Sequence, residues 1–188
     1  MKKSMGAITF PSPAPVWVVG TYDAAGRANV MTASWVGICC SKPPCVAVSL
    51  RKATYSYGNI VARQAFTVSV PSEQYIKVAD YWGIASGRNV DKFAKAGLTA
   101  VASSLVDAPY VEEFPVVMEC KVLHTLEIGL HTQFIGEILD VKFDEAVLGP
   151  AGRPDIEKLG LFVLLDGYRG IGTYLGKSFS IGEEIDET

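Results

Sequence analysis

No apolar run in these 188 residues approaches the about 20 consecutive residues that a membrane-spanning helix needs. The longest, such as Pro15 to Gly20 and Leu161 to Leu165, have the length of strands. The N-terminal Met1-Lys2-Lys3-Ser4 carries charge with no apolar stretch behind it, so no secretory signal is expected. Basic clusters are missing as well. With 17 Lys and Arg against 20 Asp and Glu, the net charge is −3, which argues against nucleic acid as the main partner, since phosphate contacts need clustered cations. Histidine is scarce, at two residues, and the four cysteines contain no Cys-x-x-Cys pair. Cys39, Cys40 and Cys45 crowd into seven residues, poor spacing for a disulfide framework, and His124 and His131 fall on expected strands. No metal site is expected; reduced thiols in a cytoplasmic protein are the simpler reading, with Cys39 and Cys40 taken as small buried hydrophobes.

Catalytic signatures are equally sparse. Neither a Gly-x-x-x-x-Gly-Lys-Ser/Thr loop nor a Gly-x-Ser-x-Gly elbow occurs. The run from Gly170 to Gly176 imitates a dinucleotide fingerprint, but its third glycine comes one residue late and no helix follows. The carboxylates are scattered over turns and strand exteriors and define no acid–base pair.

What is present is apolar and aromatic material: 49% hydrophobic residues, with 3 Trp, 8 Tyr and 8 Phe. The mean hydropathy of +0.24 has to be accounted for by a core, a subunit interface or a bound ligand. The length fits a single domain over residues 1–188. Short apolar, β-branched segments dominate both ends of the chain. Val16 to Gly20, Asn29 to Cys40 and Cys45 to Leu50 are expected to form a meander, with a turn at Asp23-Ala24-Ala25-Gly26 and a break at Lys42-Pro43-Pro44. Helices are expected from Thr54, as N-cap, to Arg63, from Ser72 to Tyr81, and over Val90 to Ala96 behind Asn89, with a strand at Ala65 to Val70. In Val116 to Leu126, Val116, Met118, Cys120, Val122 and Leu126 share an apolar face that also takes His124, while Glu119, Lys121 and Thr125 face outward. Leu130 to Phe143 is a further strand; Leu161 to Leu165 and a segment near Tyr174 finish the fold, with an acidic frayed tail from Gly182. The order suggests a closed antiparallel barrel with helical excursions, because long apolar strands need their edges covered.

Two segments stand out chemically. Asn29-Val30-Met31-Thr32-Ala33-Ser34-Trp35 packs polar side chains into an otherwise apolar strand, and such groups need partners that a ligand can supply. Ser49-Leu50-Arg51-Lys52-Ala53-Thr54-Tyr55-Ser56 runs from a strand end into a helix start, with two cations beside free amide and hydroxyl donors that suit a phosphate. Capping and solvation explain either segment alone about as well.

Together with Pro15-Val16-x-Val18-Val19-Gly20-Thr21, Asp23-x-x-Gly26, Lys42-Pro43-Pro44, Ser86-Gly87-Arg88-x-x-Asp91-Lys92-Phe93 and His131-Thr132-Gln133-Phe134-Ile135-Gly136-Glu137, these segments resemble the flavoredoxins of the flavin reductase-like family, over about residues 8–178. The resemblance implies a mainly β fold, an antiparallel Greek-key split β-barrel with inserted helices, binding FMN as a homodimer. On matching positions Asn29, Thr32, Ala33, Ser34 and Trp35 would line the isoalloxazine and ribityl chain. Ser49, Leu50 and Arg51 would continue the pocket, Thr54, Tyr55 and Ser56 would approach the phosphate, and Lys92, Phe93 and His131 would lie close by. The implied role is electron transfer or flavin reduction, with NAD(P)H or a redox protein as donor. Ferric reduction, a flavin-storage module and a barrel that has lost its flavin are the alternatives. Flavin chemistry would account for the missing catalytic constellation, since the cofactor does the hard step.

Overall fold

The computed structural model describes residues 1–10 and 12–178. The expected acidic tail from Gly182 lies outside the described residues. The strands are β1 (Ala14–Pro15), β2 (Trp17–Tyr22), β3 (Ala28–Ala33), β4 (Val36–Ser41), β5 (Pro44–Arg51), β6 (Ala65–Val70), β7 (Ala100–Ala102), β8 (Pro109–Val111), β9 (Val116–Ile128), β10 (His131–Phe143), β11 (Phe162–Leu164) and β12 (Tyr168–Gly170). The helices are α1 (Tyr55–Arg63), α2 (Ile76–Ile84), α3 (Lys92–Ala96) and α4 (Ile156–Leu159).

Seven strands form one antiparallel sheet in the order β3-β2-β6-β9-β10-β5-β4. It curls around a core of Val19, Val46, Val48, Ile60, Phe66, Val68 and Phe134. Its edges, β3 and β4, do not pair with each other, so the barrel is split rather than closed. The reason is local. Asn29 to Cys40 is not one strand: the chain bends at Ser34-Trp35, sending β3 onto β2 and β4 onto β5. The seam opens at the residues that stood out chemically.

The β2–β3 turn is built by Asp23, whose Oδ1 accepts from the amides of Ala25 (2.8 Å) and Arg27 (2.9 Å), and by Gly26 at φ +76°, a conformation glycine adopts without penalty. Thr54 caps α1 as expected, its Oγ1 accepting from the Tyr57 amide at 3.3 Å. The next helix starts later than expected. Ser72 makes no capping hydrogen bond, Glu73–Tyr75 is a 3-10 turn, and α2 runs on to Ile84. Asp91, not Asn89, caps α3. Trp82 is fully buried with Phe93 and Phe114 in a second core between the barrel and the helices.

In β9 the alternation fails at both ends. Glu119, expected outside, is fully buried: its cross-strand partner Thr67 of β6 donates to the Pro109 carbonyl of β8, and its own Oε2 accepts from Lys142 of β10. Leu126 and His124, expected inside, are exposed, because the β9–β10 hairpin runs on past the barrel. Among the described residues the final strand is β12, while Tyr174 is exposed coil.

Candidate functional site

The open seam carries two adjoining cavities that share Met31 and Thr54. The upper, of about 270 Å³, is walled by β3, the start of α1 and the turn from Trp82 to Arg88. The lower, of about 160 Å³, lies between Ser34-Trp35, Ser49-Leu50-Arg51 and His131.

In the upper cavity the first turn of α1 offers amide hydrogens that no intrahelical carbonyl reaches. Asn29, 5% exposed, donates through Nδ2 to Thr21 Oγ1 (3.1 Å) and Ser56 Oγ (2.9 Å). Its Oδ1 is buried in the cavity wall without any donor. A buried carbonyl oxygen left unpaired costs about 1–3 kcal/mol, so a ligand hydroxyl or N–H at this point would be bound with advantage. Lys92 is 4% exposed; its Nζ donates to the Trp82 carbonyl (2.7 Å), and Trp82 Nε1 donates back to the Lys92 carbonyl (3.1 Å). Burial lowers the Lys92 amine from an ordinary value of 10.5 to about 8. The rim is held from outside. Tyr55 donates to Asp23 Oδ2 (2.9 Å), and Arg27 Nε also reaches that oxygen at 2.7 Å. Burial pushes the Asp23 carboxyl upward, but hydrogen bonds from the Arg27 amide, Tyr55, the Arg27 side chain and the Ala25 amide outweigh it and hold the group at about 2. Arg88 lies over the Tyr55 ring, 5.5 Å from its centre, and donates to the Ala53 carbonyl at 2.8 Å.

The lower cavity holds one cation, Arg51, where the upper holds Arg88 and Lys92. Trp35 stacks on His131 with centres 5.2 Å apart and planes 15° from parallel. Ser49 donates its amide to the Trp35 carbonyl (2.9 Å), and its Oγ accepts from Gln133 (3.3 Å). Arg51 is exposed at the mouth, while Lys52 is turned away onto Glu127 (2.5 Å).

Of the expected residues, Asn29, Thr54, Tyr55, Ser56 and Lys92 therefore gather in the upper cavity. Thr32, Ala33, Ser34, Trp35, Ser49, Leu50, Arg51 and His131 gather in the lower, with Thr54 at the join. Phe93 does not join them: it packs against Trp82 at 5.6 Å, inside the second core. Its position two residues after the α3 cap points it inward, as the apolar helix face would have indicated. Met31, Ala53, Gly87 and Arg88 also line the upper cavity; they lie in the segments that bear the resemblance but have no expected site role, because only the fold brings the turn from Trp82 to Arg88 onto α1. Cys39 and Cys40, expected to be buried, are exposed.

The Lys92 amine gives a stability signature. Between about pH 8 and 10.5 the unfolded chain keeps a proton that the native chain has lost, so native stability rises with pH in that window. Urea midpoints for wild type minus Lys92→Met are expected to rise from pH 8 to pH 10 and to be level between pH 6 and 7; a difference flat throughout would contradict the burial of a lysine here.

The seam of this split antiparallel barrel is an elongated, partly polar cleft. The family model for the flavin reductase like domain matches residues 10–169, and the chain belongs to that family. It is similar in structure to the flavoredoxin of Desulfovibrio vulgaris (Miyazaki F), at 54% identity and a TM-score of 0.91, covering 97% of this chain and 100% of that one. It is also similar to the flavoredoxin from Methanosarcina acetivorans, at 31% identity and a TM-score of 0.92, covering 98% and 99%. In sequence it is 27% identical over 136 residues to the NADH:riboflavin 5'-phosphate oxidoreductase of Streptomyces pristinaespiralis, covering 72% of this chain and 74% of that one.

Proposed function

We propose that the chain binds FMN along the seam and works as a flavoredoxin-like electron carrier in the cytoplasm, taking electrons from NAD(P)H or a redox protein. The observation that carries this reading is the buried, donorless Asn29 Oδ1 in the wall of a two-part groove: a single ligand with donors along its length meets both parts. FMN fits in kind. The larger cavity joins apolar walls from Met31, Ala53, Trp82 and Ile84 to free amides, which suits a flat ring with a polar edge. The smaller one offers Ser34, Ser49, His131 and the guanidinium of Arg51, which suits a dianion and reverses the expected placement of the phosphate at Thr54, Tyr55 and Ser56. When bound, the flavin supplies hydride and single-electron transfer. The protein's residues bind, orient and exclude water. Lys92, held on the Trp82 carbonyl, presents a proton whose charge a developing anion in the upper cavity would favour. A homodimer is part of this reading, since Leu126, Ile128 and Leu130 project bare from the β9–β10 hairpin.

Arg51 tests the orientation. A charged hydrogen-bond partner contributes about 1.5–3 kcal/mol, so Arg51→Ala is expected to weaken FMN about 10- to 150-fold and riboflavin hardly at all. If Arg88→Ala gives the FMN-selective loss instead, ring and phosphate occupy the opposite cavities. Anaerobic mixing with NADH or NADPH tests the activity: bleaching of the flavin band supports a nicotinamide-driven carrier. A flavin that stays oxidised with both, and with reduced protein donors, would leave a binding module.

A further inference from the structure

The β4–β5 hairpin holds three of the four cysteines, and its register brings them together. Pairing steps from Ile38↔Val46 to Cys40↔Cys45, two residues on β4 against one on β5. This is a β-bulge, so Cys39 and Cys40 both stand opposite Cys45. Directly opposed residues of an antiparallel pair have Cα atoms about 4.5–5.5 Å apart, inside the about 4.4–6.8 Å that a disulfide spans. Cys39 and Cys40 are exposed, Cys45 is buried at 3% exposure, and all are free thiols. The fourth, Cys120, is sealed in the barrel core. Among the described residues no group of three or more His, Cys, Asp or Glu side chains is placed to hold a metal ion, which leaves thiol chemistry as the use the cluster permits.

We propose that Cys40 and Cys45 are a redox modification site, a cross-strand dithiol that hydrogen peroxide converts to a disulfide. Cys40, exposed like Cys39 but the direct register partner of Cys45, meets the oxidant first. Its sulfur attacks one peroxide oxygen; an S–O bond forms, the O–O bond breaks, and water leaves, giving a sulfenic acid. Cys45 sulfur then attacks Cys40 sulfur; the S–S bond forms, the S–O bond breaks, and a second water carries away the Cys45 proton. Two thiols lose two electrons and two protons, and one peroxide becomes two waters. Burial pushes the Cys45 thiol up, with Cys40 and Cys39 adding to the effect, which fits Cys45 as the resolving partner rather than the first nucleophile. The bond would staple the outer end of β4, the strand whose inner end follows Trp35.

The test oxidises the full chain with equimolar peroxide, then denatures, alkylates and weighs it. The expected result is a loss of about 2 Da before alkylation, with alkylation afterwards only at Cys39 and Cys120. Cys45→Ala is expected to keep a dimedone-reactive sulfenic acid at Cys40. Should that variant not fold, Cys40→Ser, at an exposed site, is expected to abolish the mass loss. Persistence of the loss in Cys40→Ser, alkylation of Cys45 after oxidation of the wild type, or chains linked in pairs would overturn the assignment.

Discussion

Gly87→Ala is expected to lower FMN affinity by about 5- to 150-fold while leaving the fold intact. A Cβ at this position would fall on Asn29 Oδ1 and come within 2.9 Å of Tyr55 Cδ1. Neither neighbour is free to yield. Asn29 is tied to Thr21 and Ser56, and Tyr55 to Asp23, which itself anchors the β2–β3 turn. The loop from Ala85 to Arg88 must therefore move off α1, opening the upper cavity. Forced insertion of a methyl group costs about 1–3 kcal/mol, which falls on the bound state and corresponds to the fold-change above. Titration with FMN checks it, beside a thermal melt displaced by no more than a few degrees. Wild-type affinity in this variant would show that the loop is not part of the binding surface.

The second large effect concerns stability and lies away from the seam. Glu119 is fully buried and its carboxylate depends on Lys142; the other oxygen has no partner at all. Removing one partner of a buried pair strands the remaining charge, which costs about 3–5 kcal/mol. Lys142 is about a third exposed and also meets Asp140 at 2.9 Å, so the lower end of that range applies. Lys142→Met is expected to cost about 3 kcal/mol, or about 6–12 °C in Tm for a chain of this size. The double variant Glu119→Leu with Lys142→Met is expected to recover most of the loss, because apolar replacement of both partners removes the stranded charge. Urea unfolding of the four proteins measures the coupling; additive losses would contradict it.

Much of the architecture was legible because local chemistry dictates it. The Asp23–Gly26 turn, the Thr54 cap and the β-branched runs of β5 and β6 each carry their own instruction. The split of Asn29 to Cys40 was hidden, since β propensity runs unbroken through Ser34-Trp35 and only tertiary pairing shows that its halves join different neighbours. Glu119 was misread because alternation reports which side of a strand a residue takes, not whether another layer covers that side. At the site, the β3 and β5–α1 segments announced themselves by polar groups among apolar ones. Gly87 and Arg88 stood in a motif of the resemblance but without a site role, because that role depends on a loop brought onto α1 from far along the chain. Phe93 was placed at the site by its match to the Asp91-Lys92-Phe93 motif of the resemblance, and the α3 periodicity turns it to the core instead. The exposed Cys39 and Cys40 follow from β4 being an edge strand with no layer over it.

The central claim is that the seam of the barrel is a flavin site. Equilibrium titration of the flavin-stripped chain with FMN, followed by quenching of flavin fluorescence, addresses it directly. The account predicts saturation at one FMN per chain, with riboflavin bound more weakly by the contribution of Arg51. Absence of saturable binding up to about millimolar FMN, the limit of a specific interaction of about −4 kcal/mol, would contradict it.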